Sequence, residues 1–391
     1  MSSEVPSGGS GRIPLCVPNV GAAEIAKVSE TLGDGWVSTA GPTVSAFETA
    51  LASEVGNDFA VAMCSGTAAL HVALQLAGVR PEDEVIIPAL TFIAPANAVR
   101  YCGAWPTFAD VDPVYWQLDP DEVERFLTAD CVHVSGGVQN RHTGRTVRAL
   151  LPVDILGHPC DLGRLQDLAE RFELALVEDA TESLGASYRG KPVGSISRMS
   201  CFSFNGNKII TTGGGGMLTT ADRSLAERAR YLSTQAKDDP SAFVHKEIGY
   251  NYRLTALQAA VGLAQLERLP EFLERKRSIA ARYAEVCSRI EGLTFLAEAS
   301  WAEATFWLST IQVDPEAYGE HASTTASRFA AVGIDTRPLW QPLHRSTAHA
   351  DSFSRPCPVA EHVVDRSVCL PSSTGISDAE IDRVIAVLDR S

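Results

Sequence analysis

Short apolar runs alternate with stretches of helical spacing along most of this chain. Runs that read as buried strands stand at residues 85–87, 107–109, 149–155, 174–177, 200–204 and 217–220. Helical spacing precedes or separates the earlier ones, at residues 22–32 (Ile25, Val28, Leu32), 44–55 (Val44, Phe47, Leu51, Val55), 68–77, 94–102, 120–127 and 162–172. Continuous apolar strands separated by helices indicate a largely parallel sheet covered on both faces, an α/β fold without internal repeat. Further on, residues 254–269 and 271–290 read as a long exposed helical pair interrupted by Pro270. A strand-like stretch at 305–313 and helical ones at 323–332 and 378–388 follow. The pattern divides the chain into a Ser/Gly-rich disordered tail (1–12), a large catalytic unit (13–269) and a smaller C-terminal α/β unit (270–391).

Candidate chemistry collects where strands end. The stretch Phe202-Ser203-Phe204-Asn205-Gly206-Asn207-Lys208-Ile209-Ile210-Thr211-Thr212 runs into four glycines, joining a hydroxyl, a lone amine and a permissive backbone. Lys208 has neutral sequence neighbours, and desolvation pushes an ammonium towards the free amine that attacks aldehydes. A solvated loop lysine is the ordinary alternative. Ser203 alternates with Phe202 and Phe204, so it points to the face opposite the aromatics. The strand 174–177 ends in Glu178-Asp179-Ala180-Thr181-Glu182, and in open α/β sheets ligands bind beyond such ends. A carboxylate at Asp179 upstream of a Schiff-base lysine suits pyridoxal phosphate (PLP), whose protonated ring nitrogen makes it an electron sink. Ser65-Gly66-Thr67 opens the apolar helix that Gly78 closes, and serves equally as a helix cap or as a phosphate site. Phe92, past the strand at 85–87, either fills core or stacks on a ring. Asn251 reads by itself as a cap for a helix from Arg253.

Composition narrows the setting. The 391 residues carry Lys+Arg 33 against Asp+Glu 48, a formal charge of −15, which argues against nucleic-acid binding. Nine scattered cysteines without a Cys-x-x-Cys pair indicate neither a disulfide framework nor a metal site. The start of the chain lacks the apolar core of a signal peptide, and no apolar run approaches the ~20 residues of a spanning helix. These features point to a cytoplasmic protein that does not enter the membrane.

The ordered blocks Asp34-Gly35-Trp36-Val37-Ser38, Ser65-Gly66-Thr67, Pro88-Ala89-Leu90-Thr91-Phe92, Glu178-Asp179-Ala180, the lysine stretch and Gly249-Tyr250-Asn251-Tyr252-Arg253 carry a resemblance. From about Ile13 to its end the chain resembles the PLP-dependent nucleotide-sugar aminotransferases of the DegT/DnrJ/EryC1/StrS family. The resemblance implies a fold type I PLP transferase, similar to aspartate aminotransferase, that works by ping-pong transamination with L-glutamate as amino donor. It implies that Lys208 holds the cofactor and moves the proton, that Asp179 pairs with the ring nitrogen, and that Phe92 stacks on the ring. It assigns Ser65, Gly66, Thr67 and Ser203 to the phosphate and Glu182, where the family often has glutamine, to the neighbourhood of the ring's 3-oxygen. Asn251 is assigned to the phosphate of a neighbouring subunit, which implies a homodimer with shared active sites.

Within the family, Gly206-Asn207-Lys208 and Gln235-Ala236-Lys237-Asp238-Asp239 most resemble the branch that aminates C4 in legionaminic acid and bacillosamine-type pathways. The implied substrate is a UDP-linked 4-keto-6-deoxy-N-acetylhexosamine. Asp154 stands where the family usually has histidine, and Arg189, Lys191 and Arg253 are candidates for the diphosphate. Two alternatives share the fold: a sugar dehydratase, and a non-catalytic sugar-sensing relative. In the first, histidine or an added iron–sulfur cysteine set alters the lysine chemistry, and the second is expected to have lost Lys208 or Asp179. Both residues are present.

Overall fold

The apolar runs join in one nine-stranded sheet. Its strands are β1 (Phe59–Met63), β2 (Glu84–Pro88), β3 (Trp105–Ala109), β4 (Cys131–Val134), β5 (Gly137–Asn140), β6 (Thr146–Leu150), β7 (Ala175–Asp179), β8 (Met199–Ser203) and β9 (Gly216–Thr220). The computed structural model that shows this describes residues 11–239 and 241–389. The sheet order is β1-β9-β8-β7-β6-β2-β3, with the β4–β5 hairpin laid against β6. Neighbours from β8 to β3 are parallel, and β9 runs against both β1 and β8. β1 and the hairpin are additions to the sequence pattern, because Phe-Ala-Val-Ala-Met has no alternation and the hairpin mixes polar with apolar residues.

Helices α1 (Ala22–Gly33), α2 (Pro42–Glu54), α3 (Gly66–Leu76), α4 (Ala94–Tyr101), α5 (Leu162–Arg171), α6 (Ala256–Glu267) and α7 (Leu269–Cys287) accompany this sheet. α3 packs across β8 and β9, and every side chain from Ala68 to Leu74 is buried. It stops where Gly78 takes φ +83, a left-handed conformation that glycine adopts without steric cost.

Two helical expectations change. In α1 the apolar residues Ile25 and Leu32 are exposed, while Glu24 and Thr31 are buried. The polar face wins because Glu24 accepts hydrogen bonds from Gln265 Nε2 at 2.6 Å and from its own cap amide, Gly21 N, at 2.7 Å. The pair α6–α7 is not an exposed connection. Ala259, Ala260, Gly262 and Ala264 are buried against α1 and α2, and a Cβ on Gly262 would stand 2.5 Å from the Phe47 ring. The break expected at Pro270 is present, between Glu267 and Leu269, and the proline lies in the first turn of α7, where its missing N–H costs nothing.

A second sheet, antiparallel in the order β10 (Leu293–Phe295), β11 (Ser309–Val313), β12 (Ser367–Leu370), follows α7. The strand read at 305–313 begins at Ser309, since Phe306 takes φ +50 and breaks the extended run. Ile13 sits in the core of this C-terminal part with Ile279, Tyr283, Ile311, Phe329 and Ile381. Residues 1–10 of the expected tail lie outside the described residues. Its end is held, with Arg12 2.8 Å from Asp335 and Gly11 O accepting from Arg383 at 2.8 Å. Among the described residues no helix is long and apolar enough to cross a membrane.

Candidate active site

The carboxyl ends of β7 and β8 and the start of α3 meet around a cavity of about 380 Å³. Eight of the nine residues assigned from the sequence to catalysis or cofactor line it: Ser65, Gly66, Thr67, Phe92, Asp179, Glu182, Ser203 and Lys208. These residues are scattered in the chain, and the parallel order of β6, β7 and β8 gathers them at one sheet edge.

Lys208 follows β8 in a turn closed by its own N–H on Asn205 O at 3.0 Å. Its sequence neighbours are neutral, but its spatial neighbours are not. Nζ lies 3.3 Å from Glu182 Oε1 in an ion pair and 4.0 Å from the centre of the Trp307 ring. Glu182 is buried, and its Oε2 accepts from Leu156 N at 2.8 Å. Burial raises the Glu182 pKa above the ordinary value, against the opposing pull of Lys208 and the Leu156 amide.

Asp179 ends β7 and is 1% exposed. Its Oδ1 accepts from Thr181 N at 3.1 Å, and its pKa is raised to about 6, by burial above all, with the Thr181 contacts and Lys208 opposing and Glu182 reinforcing. An acid held there without a full cationic partner is suited to a ligand that brings one, such as a protonated pyridine nitrogen.

On the other wall, Ser65 caps α3 by accepting from Ala68 N at 3.0 Å. Gly66 and Thr67 then line the cavity at a helix end whose first amides have no intrahelical acceptor. A Cβ on Gly66 would come 2.9 Å from Ser203 Cβ, and one on Gly216 would come 2.4 Å from the Ser65 backbone. Glycine at both positions lets β8, β9 and the helix start close together beside Ser203. These residues fit PLP: Lys208 for its aldehyde, Asp179 for its ring nitrogen, and the α3 start with Ser203 for its phosphate.

Other candidates lie elsewhere. Asn251 is exposed and does not line the cavity; Thr255, which accepts from Gln258 N at 3.3 Å, caps α6 in its place. Asp154 is fully buried, accepting from Ser183 Oγ at 2.8 Å and Cys160 N at 2.9 Å, and its neighbour Val153 is the residue on the cavity wall. Arg189 and Lys191 are exposed outside the cavity, and Arg253 is engaged by Glu48 and Ala62 O, both at 2.9 Å. Residues that sequence reading missed include Trp307 and Trp340, which close the cavity from the C-terminal part, and Asn205 and Asn207. No local signal marks the two tryptophans, because their position depends on how the C-terminal part packs back over the loop that carries Lys208.

Comparison with known proteins agrees with this geometry. The model of the DegT/DnrJ/EryC1/StrS aminotransferase family matches residues 18–389. EpsN of Bacillus subtilis (strain 168), which carries the name of a pyridoxal phosphate-dependent aminotransferase, is 37% identical over 96% of this chain and 95% of its own. The GDP-perosamine synthase of Caulobacter vibrioides (strain ATCC 19089 / CIP 103742 / CB 15) is 38% identical over 97% of this chain and 98% of its own. Among solved structures, DesI in the presence of its TDP-sugar product superposes with a TM-score of 0.87 at 29% identity, over 98% of this chain and 93% of that one.

Proposed function

Because this chain belongs to the DegT/DnrJ/EryC1/StrS family of PLP-dependent sugar aminotransferases, we propose that it moves an amino group from L-glutamate to C4 of a nucleotide-linked 4-keto-6-deoxy sugar. The observation that supports the reading is that an amine, a buried acid and a helix start line one cavity. When bound, PLP supplies the electron sink. Asp179 keeps the ring nitrogen protonated, Ser203 and the α3 start hold the phosphate, and Lys208 Nζ carries the proton between carbon atoms. Glu182, 3.3 Å from that amine, orients it and neutralises its charge when it is free.

The C4 position and the UDP-linked N-acetyl sugar are supported by the Gly206-Asn207-Lys208 and Gln235–Asp239 stretches, which resemble that branch. The relatives' names include GDP- and TDP-linked sugars, so the nucleotide is an arm of the test. We also propose a homodimer in which Asn251 reaches the partner's phosphate site, a reading supported by its exposure outside the cavity of its own chain.

The test is a single-turnover screen of enzyme loaded with pyridoxamine phosphate against UDP-, GDP- and TDP-linked keto sugars. The 4-keto compound is expected to regenerate PLP absorbance far faster than its 3-keto isomer, since a misplacement of about 1 Å can cost ~10²-fold. Equal rates would overturn the regiochemistry, and a fastest reaction with a GDP- or TDP-linked sugar would replace the UDP assignment.

A further inference from the structure

Trp307 touches the catalytic lysine twice. Its indole N–H donates to Asn207 O at 2.6 Å, the carbonyl of the peptide bond that carries Lys208, and its ring face lies 4.0 Å from Lys208 Nζ. The tryptophan itself is fixed from behind. It is 3% exposed, and the residue before it, Phe306, takes φ +50, a conformation costly for a bulky side chain and retained only where surroundings impose it. Its carbonyl accepts from Lys276 Nζ at 2.7 Å, and this lysine, 1% exposed, also donates to Ser372 O at 2.5 Å and lies 3.7 Å from Cys16 Sγ. Cys16 in turn donates to Asn207 O at 3.4 Å. The Lys208 turn is thus tied to the C-terminal part of the chain by a closed ring of contacts: Asn207, Trp307, Lys276 and Cys16.

We propose that Trp307 is a positioning residue for Lys208, holding its backbone through the indole N–H and its amine between the ring face and Glu182. The two contacts act on different atoms, so each fixes a freedom the other leaves. A long lysine side chain on a glycine-flanked loop has many rotamers, and only those with Nζ facing the cavity serve proton transfer. A cationic amine over an indole face adds directionality that the ion pair with Glu182 alone lacks. The inference rests on the Schiff-base role of Lys208 proposed above.

The experiment compares wild type with Trp307→Phe, which keeps a ring face and removes the N–H, and Trp307→Leu, which removes both. The first readout is the rate at which cofactor-free protein captures added PLP on Lys208 with loss of water, stopped by borohydride and quantified by peptide mass mapping. The expected slowing is roughly 2- to 10-fold for Trp307→Phe and about 10- to 100-fold for Trp307→Leu. The second readout is the steady state, where kcat falls in the same order and KM for the sugar stays within about twofold, as for an interaction made with the enzyme's own lysine. Capture rates like wild type in the Phe variant, or a rise confined to KM, would overturn the proposal and make Trp307 a wall of the sugar site. If Trp307→Leu fails to fold, Trp307→Phe decides alone. Absence of label on Lys208 in wild type is a different result, which removes the Schiff-base role itself.

Discussion

At the residue scale the site is a set of buried charges that correct one another. Lys208→Ala is expected to keep appreciable PLP affinity through ring and phosphate contacts while losing covalent attachment; borohydride treatment and peptide mapping check this, and a label on another lysine would reassign the role. Asp179→Asn is expected to bind PLP and to slow both half-reactions severely, because a neutral amide cannot hold the ring nitrogen protonated. Stopped-flow single turnovers measure it, and rates near wild type would contradict the assignment. Glu178, beside it on β7, faces a different environment: it is fully buried, accepts from Ser200 Oγ at 2.6 Å, and burial chiefly raises its pKa from 4.5 to about 7. The folded state therefore keeps a proton that the unfolded chain releases above 4.5, and stability present below that value is lost as the pH rises towards about 7. Glu178→Gln is expected to abolish that loss, worth up to about 3 kcal/mol. Thermal melts of both proteins across this interval check it, and parallel curves would show that Glu178 ionises as freely in the fold as outside it.

At the level of elements, the organising contact is α3 against the ends of β8 and β9. Gly66→Ala brings a methyl group 2.9 Å from Ser203 Cβ and 3.1 Å from Thr181 Cγ2, short side chains that cannot swing away, and is expected to weaken PLP binding roughly tenfold or more. Equilibrium titration of PLP absorbance measures the change, and unaltered affinity would mean that this contact widens freely. The same elements show what a sequence displays and what it hides. Lys208, Asp179 and the Ser65-Gly66-Thr67 helix start were legible because each is a local departure from its surroundings: an amine before glycines, an acid at a strand end, hydroxyls before an apolar helix. The parallel sheet was legible because strands buried on both faces must be apolar throughout. The burial of α6 was not, since its small residues gain their meaning from Phe47, far away in the chain. Asp154 misled for the converse reason: its place next to a wall residue suggests the site, but it lies past the end of β6, where the chain turns, and Ser183 and Cys160 hold its carboxylate behind the wall.

For the molecule as a whole, the exposed Asn251 makes the oligomer testable. Mixed dimers of Asn251→Asp and Lys208→Ala subunits concentrate both lesions in one site and leave the other intact. Recovered activity is expected, given an impaired Asn251→Asp parent; none, with hybrids shown to form, would refute sharing. The pairing of Ile13 with Ile334 carries a consequence of another kind. Ile13 N donates to Gly333 O at 2.9 Å, and Asp335 N to Ile13 O at 2.8 Å. During synthesis on the ribosome the segment around Ile13 emerges long before its partners exist, so it is still waiting when the central sheet already has all its strands. Docking of that segment also closes a very long loop, so it is expected late in refolding of the full chain as well, and a pulse of protease during refolding should cut near Arg12 until the last phase; early protection there would show that the terminus finds another shelter first.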